Sequence, residues 1–382
     1  MLKDRPCPGC RYRSDPDPLD PSERDIIMAQ SVTEILTRAV HDGASDVFIV
    51  AGMTVGCRIS GEVKMLEGER LMPDDTRRLV TEIYRLAGDR SMESYSQRGD
   101  DDFSFAIPGL SRFRVSAYKQ RGSYAAVIRV ISFELPDPAE LNIPDEIIEL
   151  GDARDGMVLV TGPAGSGKST TLACIIDHIN NTRSANIITL EDPIEYLHSH
   201  KKAIVSQREM AVDSVNYVTA LRATLRQSPD VILLGEMRDF ETISVAMTAA
   251  ETGHFLLSTL HTVGAANTIN RIIDVFPANQ QRQVAVQMSM VLNAVVSQQL
   301  VPTLEGGVVP VFELMKVTPA IKNMIRENKI AQIDAAIQGG RESGNLTNDG
   351  GLYKLASEGI ISSDVAVQYA SDPQIMKHRL GR

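Results

Sequence analysis

Tryptophan is absent from the 382 residues and the aromatic share is only 5%. A chain with so few flat side chains offers few platforms on which unpaired bases can stack, which weighs against a single-stranded nucleic-acid groove. Cysteine is scarce too: four in a chain of this size cannot make a disulfide framework and fit a reducing compartment. No apolar run approaches the roughly 18 residues a membrane span needs, the clean stretches being as short as Val231–Leu234. Met1–Arg13 is polar, charged and interrupted by Pro and Gly, so it lacks the apolar stretch of a signal peptide and the expected location is the cytoplasm. Positive charge is in deficit, with 39 Lys and Arg against 49 Asp and Glu for a net charge of -10. Without a concentrated basic block such a chain repels phosphate backbones, and no stable nucleic-acid binding is expected.

What is present is an ordinary globular composition, 43% hydrophobic, in a chain long enough for two to three domains of about 150 residues each. Residues 1–24 combine Pro6, Pro8, Pro16, Pro18 and Pro21 with many charges and read as a disordered leader. In residues 25–134, Val32, Ile35, Leu36, Ala39 and Val40 follow helical spacing up to Gly43. A second helix with Asp74 or Asp75 as its cap carries Leu79, Val80, Ile83 and Leu86 to Gly88. Strand-like runs at 46–50, 55–59, 102–107, 113–118 and 125–131 complete a small α+β domain. Pro136, Pro138 and Pro144 mark a linker over 135–146. From 147 to 382 the pattern becomes α/β. Continuous apolar strands at 157–161, 186–190, 231–234 and 255–260 alternate with helices, as in a parallel sheet covered on both faces, and helices follow from about Thr318.

The densest signal is Gly162-Pro163-Ala164-Gly165-Ser166-Gly167-Lys168-Ser169-Thr170, directly after the strand ending at Thr161. Its glycines let backbone N–H groups turn inward around a β-phosphate, and a helix starting near Lys168 adds its positive end. Lys168 is expected to reach the β- and γ-phosphates and the Ser169 hydroxyl to coordinate Mg²⁺, so ATP and Mg²⁺ are the expected cofactors.

Two acidic clusters close apolar strands, Glu191-Asp192-Pro193-Ile194-Glu195 and Gly235-Glu236-Met237-Arg238-Asp239. Carboxylates at strand C-termini lie where such sheets bind ligands, and in a partly dry site they act strongly on a metal or a water. His254 and His261 bracket one strand. Their odd separation points them to opposite faces, so they are not a paired metal site, and His261 is the candidate γ-phosphate or conformational sensor.

With these residues in place the chain resembles the secretion-ATPase superfamily of P-loop motors, and within it the PilT-type motors of type IV pilus retraction. The likeness rests on four ordered segments: the P-loop, an Asp box Leu190–Tyr196, a Walker B stretch Pro229–Asp239 and a His box Thr252–Thr262. Arg271–Pro277 and Ala320–Glu327 add to it. The resemblance implies a PAS-like N-terminal domain, a RecA-like ATPase domain and a homohexamer with nucleotide between subunits. The ring would sit at the inner face of the cell membrane, associated with it only through an inner-membrane pilus platform protein. It assigns activation of the attacking water to Glu195 and Mg²⁺, partly through water, to Glu236 with Ser169. It also recruits Arg271 and an arginine of the N-terminal strands, Arg114 foremost among Arg112, Arg114, Arg121 and Arg129, to the γ-phosphate.

Two features depart from that pattern. Lys322 stands after Ala320-Ile321 where retraction motors have arginine, which keeps the charge and loses the bidentate fork. Cys7 and Cys10 form a CxxC in the leader that reads either as silent or as half of an intermolecular metal site. The cysteine-ligated zinc module that related extension motors carry is missing, which favours retraction. The rival functions are a secretion or conjugative-transfer ATPase of the same superfamily, a RecA-like nucleic-acid translocase, and a ring that binds nucleotide without hydrolysing it.

Overall fold

Ser31 opens the first helix, α1 (Val32–His41), through a reciprocal cap: its hydroxyl accepts from Glu34 N at 3.2 Å while the Glu34 carboxylate accepts from Ser31 N at 2.9 Å. Val32, Ile35, Leu36 and Ala39 form the buried stripe that the spacing predicts. The structure, a computed structural model, describes residues 31–59, 61–131, 135–340 and 344–381. The expected leader with its Cys7–Cys10 pair lies outside the described residues. Two compact units divide the chain between Val130 and Ile131.

In the first unit α1 is followed by β1 (Ala44–Ile49), β2 (Gly56–Ile59), β3 (Glu62–Met65), α2 (Pro73–Leu86), α3 (Glu93–Arg98), β4 (Asp100–Ile107), β5 (Ser111–Gln120) and β6 (Ser123–Ile131). The strands form a six-stranded sheet in the order β3-β2-β1-β6-β5-β4, with β1 antiparallel to both β2 and β6. Helix α2 begins earlier than the sequence predicts. Neither Asp74 nor Asp75 is its cap: Met72 holds that place, Pro73 opens the helix with its φ preset, and Asp75 reaches back to accept from Met72 N at 2.8 Å. Strand β3 escapes the sequence because all four of its residues are exposed, so no apolar alternation marks it. Leu36, Ile49, Tyr84, Tyr95, Phe113 and Ile128 are fully buried in the core of this unit.

The second unit contains α4 (Asp145–Ile148), β7 (Gly156–Thr161), α5 (Lys168–Thr182), β8 (Asn186–Glu191), β9 (Ile204–Glu209), α6 (Tyr217–Thr224), β10 (Val231–Leu234), α7 (Phe240–Glu251) and β11 (Phe255–Leu260). It continues with α8 (Ala265–Asp274), α9 (Ala278–Val291), β12 (Leu292–Pro302) and β13 (Val308–Lys316). It ends with α10 (Pro319–Arg326), α11 (Ile333–Gly339), α12 (Asn348–Ser357), α13 (Ser363–Tyr369) and α14 (Pro373–Arg379). Seven strands run β13-β12-β7-β11-β10-β8-β9. Every neighbouring pair is parallel except β12 with β13. Along β7 the apolar residues divide by parity: Met157 and Leu159 enter one core with Ile188, Ile232 and Leu256, and Val158 and Val160 enter the other with Ile187, Leu233 and Leu257. A parallel sheet buried on both faces follows, and the α/β fold class holds. Among the described residues no helix is long and apolar enough to cross a membrane.

Strands β9, β12 and β13 go beyond the four apolar runs of the sequence. In β12 the cause is chemical, because Ser297, Gln298 and Gln299 interrupt the apolar pattern and each makes a specific hydrogen bond inside the unit.

His198, in the loop after β8, has its Nδ1 buried with no partner among the described residues, and burial pushes its pKa down to about 4. Below its ordinary value of 6.5 the unfolded chain takes up a proton that the folded chain refuses, so this group lowers stability as pH falls from 6.5 towards 4. The slope is at most about 1.4 kcal/mol per pH unit. His198→Leu removes that proton, so melting temperatures of parent and variant compared from pH 7.5 to 5 should diverge in favour of the variant as pH falls; a constant difference would contradict the assignment.

Candidate active site

Strand β7 is buried at every position and ends at Thr161. The chain then turns through Gly162, Gly165 and Gly167 at φ of 143°, 75° and 86°, and α5 starts at Lys168. These glycines are needed for space as well as for conformation. A Cβ at Gly162 would stand 2.0 Å from the backbone oxygen of Gln298, and one at Gly167 would stand 2.9 Å from its side-chain nitrogen. Gln298 is buried on β12, and its amide oxygen accepts from Thr171 Oγ1 at 2.7 Å. The exposed arch Pro163, Ala164 and Gly165 therefore sits on a fixed floor.

Lys168 is 8% exposed, and its ammonium donates to the carbonyl oxygens of Gly162 and Pro163, both at 2.9 Å. Burial holds its pKa below the ordinary lysine value, and the charge of Glu236 works in the opposite direction. Ser166 Oγ is buried without a hydrogen-bond partner among the described residues. Ser169 is exposed on the cleft, and the hydroxyls of Thr170 and Tyr196 lie 2.9 Å apart, tying the first turn of α5 to the Asp box.

Beside the loop opens a cleft of about 500 Å³, within the range of small-molecule sites. Glu191, Glu195, Tyr217, Glu236, Arg238 and His261 line its far side. The parallel register delivers them, because β8, β10 and β11 end on the same edge of the sheet as β7. The Glu236 carboxylate, 15% exposed, is held between Arg238 Nε at 2.5 Å and His261 Nε2 at 3.5 Å. Glu191 is the deeper acid. Burial pushes its pKa up, against hydrogen bonds from Thr189 Oγ1 at 2.6 Å and Gln207 Nε2 at 3.2 Å. Glu195 is exposed in the loop that follows. Burial, then the charges of Asp192, Glu236 and Glu191, push the Tyr217 phenol up, so it remains a neutral donor.

The two histidines lie beyond opposite ends of β11. His261 stands on the cleft, whereas His254 lies at the opposite end of β11 with Nδ1 2.9 Å from Ala249 O and 3.1 Å from Thr252 Oγ1, closing the end of α7. Lys168, Ser169, Glu195, Glu236 and His261 thus share one cleft. Arg271 lies exposed on α8 and does not line it. Arg114 is exposed on β5 of the first unit. Arg129 in the same unit is committed elsewhere, with Nε 3.1 Å from Asp46, an acid that Arg58 approaches at 3.5 Å. Gln298 and Tyr217 escape sequence reasoning. Their only trace is a polar residue inside an otherwise apolar stretch and a tyrosine opening a helix.

A family model described as Type II/IV secretion system protein matches residues 22–361. The chain is 43% identical over 343 residues to the "Type IV pilus retractation ATPase PilT" of Pseudomonas aeruginosa, covering 90% of this chain and 99% of that one. It is 41% identical over 350 residues to a "Twitching motility protein" of Neisseria gonorrhoeae, covering 91% and 93%. The crystal structure of the pilus retraction motor PilT with bound ADP superposes with a TM-score of 0.83 at 44% identity, over 91% of this chain and 99% of that one. Likeness of this extent, in sequence and in backbone, places the chain in the type II/IV secretion system protein family.

Proposed function

We propose that the chain hydrolyses ATP as the motor of type IV pilus retraction, working as a homohexamer at the cytoplasmic face of the inner membrane and acting on a platform protein there. One observation carries the chemistry: a P-loop lysine and the carboxylates of Glu195 and Glu236 share a single cleft in a chain that matches a pilus retraction ATPase along nearly its full length.

Lys168 would exchange the Gly162 and Pro163 carbonyls for β- and γ-phosphate oxygens, a trade of neutral acceptors for charged ones that favours the bound triphosphate. The buried Ser166 hydroxyl, unpartnered among the described residues, is free to donate towards the same phosphates. The donor set suits a hard cation: among the described residues no group of three or more His, Cys, Asp or Glu could hold a metal alone, while Ser169 and Glu236 together offer oxygen donors beside the phosphate loop. Mg²⁺ held there, partly through water, would neutralise phosphate charge. Glu195 is an exposed carboxylate on the cleft and is assigned to take a proton from the attacking water, while Glu236 is paired with Arg238. His261, 3.5 Å from Glu236, is placed to respond to the γ-phosphate. Arg271 and Arg114 are assigned to the charge developing on the γ-phosphate when subunits close in the ring.

Lys168→Ala should lower ATP turnover by about a hundredfold or more while leaving the fold intact, as measured by phosphate release and thermal melting; parental turnover would remove the lysine from the site. Gly162→Ala acts differently, because the added carbon has no room beside Gln298 O. It should cost about 1–3 kcal/mol of stability in addition to ADP affinity, and a parental melting temperature would contradict the packing. Deletion of the gene tests the biological role: surface pili should accumulate, whereas their loss would point to extension or secretion.

A further inference from the structure

The geometry points to Gln207 and Glu209 of β9 as positioning residues for Glu195. This inference rests on the reading of Glu195 as the group that activates water. Glu195 sits in the loop between β8 and β9, and the loop is pinned on both sides of it. On the near side, Ile194 N donates to Glu209 Oε2 at 3.2 Å, and Glu209 is 4% exposed. On the far side, Gln207 uses both ends of its amide. Its nitrogen donates to Tyr196 O at 2.8 Å and to Glu191 Oε1 at 3.2 Å, and its oxygen accepts from His198 N at 2.8 Å. The Tyr196 hydroxyl in turn meets Thr170 on the P-loop helix.

The spacing on β9 makes this possible, since residues two apart in a strand point to one face. Gln207 and Glu209 therefore present a three-point grip, on Ile194, Tyr196 and His198, to a loop that has no regular structure of its own. An exposed glutamate on such a loop has no rigid element behind it, and neither Gln207 nor Glu209 is among the residues lining the cleft. Beyond the bond to Glu191, they act on the reaction through the loop they hold and so through the place they give Glu195. Displacing a reacting group by about 1 Å can cost two orders of magnitude in rate without touching the binding contacts. The nucleotide-holding residues Lys168 and Ser169 belong to α5, the helix whose Thr171 is held by Gln298. Because the grip reaches α5 only through the Tyr196–Thr170 contact, it should govern the chemical step far more than nucleotide affinity.

The test uses the full chain. Gln207→Glu keeps the length and the acceptor for His198 N, and it loses the donor to Tyr196 O and Glu191. Gln207→Met keeps only the length, and serves if the added charge unfolds the loop. The kcat for ATP should fall by about tenfold to a hundredfold, with KM and the dissociation constant for ADP within twofold of the parent. Glu195→Gln is measured alongside, together with the double variant. Because Gln207 works through Glu195, its substitution should cost nothing further once Glu195 is gone. Additive losses, a parental kcat in both Gln207 variants, or a fall in ADP affinity matching the fall in rate would each overturn the positioning role. If Glu195→Gln alone retained parental turnover, the underlying reading of Glu195 would fail first, an outcome distinct from the others.

Discussion

The structure of the second unit depends on one close approach: the backbone of Gly162 against the carbonyl of Gln298, with 2.0 Å where a β-carbon would stand. That contact fixes the height of the phosphate loop over β12. The side chains of the same strand add further ties. Three consecutive residues there each anchor a different element: Ser297 Oγ accepts from Gly264 N at the head of α8, Gln298 holds Thr171 on α5, and Gln299 donates to Asn348 at 2.6 Å at the start of α12. The loop that would hold phosphate, the helix that carries Arg271 and the C-terminal helices are therefore tied to neighbouring positions of a single strand. A shift in the loop cannot leave that strand unaffected, because a buried amide with one partner lost is costly.

Electrostatics within the cleft follow a division by depth. Glu191 is half-buried, its pKa is raised by burial, and its Oε1 accepts from Thr189 and Gln207. Glu236, partly exposed, is shared between Arg238 and His261. Glu195 alone of the three is exposed. The four acids of the cleft stand in different environments, Glu191 hydrogen-bonded, Glu236 charge-paired, Asp192 and Glu195 open to solvent, a grading of the kind that separates roles among like groups. The overall charge of -10 is thus compatible with a phosphate site, since the cation that matters, Lys168, is held at short range in a partly buried setting where its charge acts most strongly.

How much of this could be read from the sequence depends on whether the determinants are local. The glycines and Lys168 lie within one turn of chain, and the strands ending in Glu191 and Glu236 are apolar throughout, so the loop, the parallel sheet and the facing carboxylates were legible. The cap of α2 was misplaced by two or three residues because a carboxylate at the third helical position serves the helix end as well as one at the cap itself. Arg129, like Arg114, lies on a strand of the first unit and belongs to the same set of candidates for the γ-phosphate. Only the register of β1 with β6 shows that Asp46 faces Arg129 and engages it.

Strands β9 and β12 were hidden for a common reason that bears on how such sites are built. Both carry polar side chains at positions where strand patterns lead one to expect apolar ones, and in both the polar groups are satisfied by partners outside the strand: Gln298 by Thr171, Gln207 by Tyr196 and His198, Glu209 by Ile194. These two give up part of an apolar run to hold loops, one beneath the phosphate loop and one behind the Asp box. The positions where periodicity fails are therefore the positions that support the site, and interrupted strands flanking a P-loop sheet are where its supporting residues should be sought.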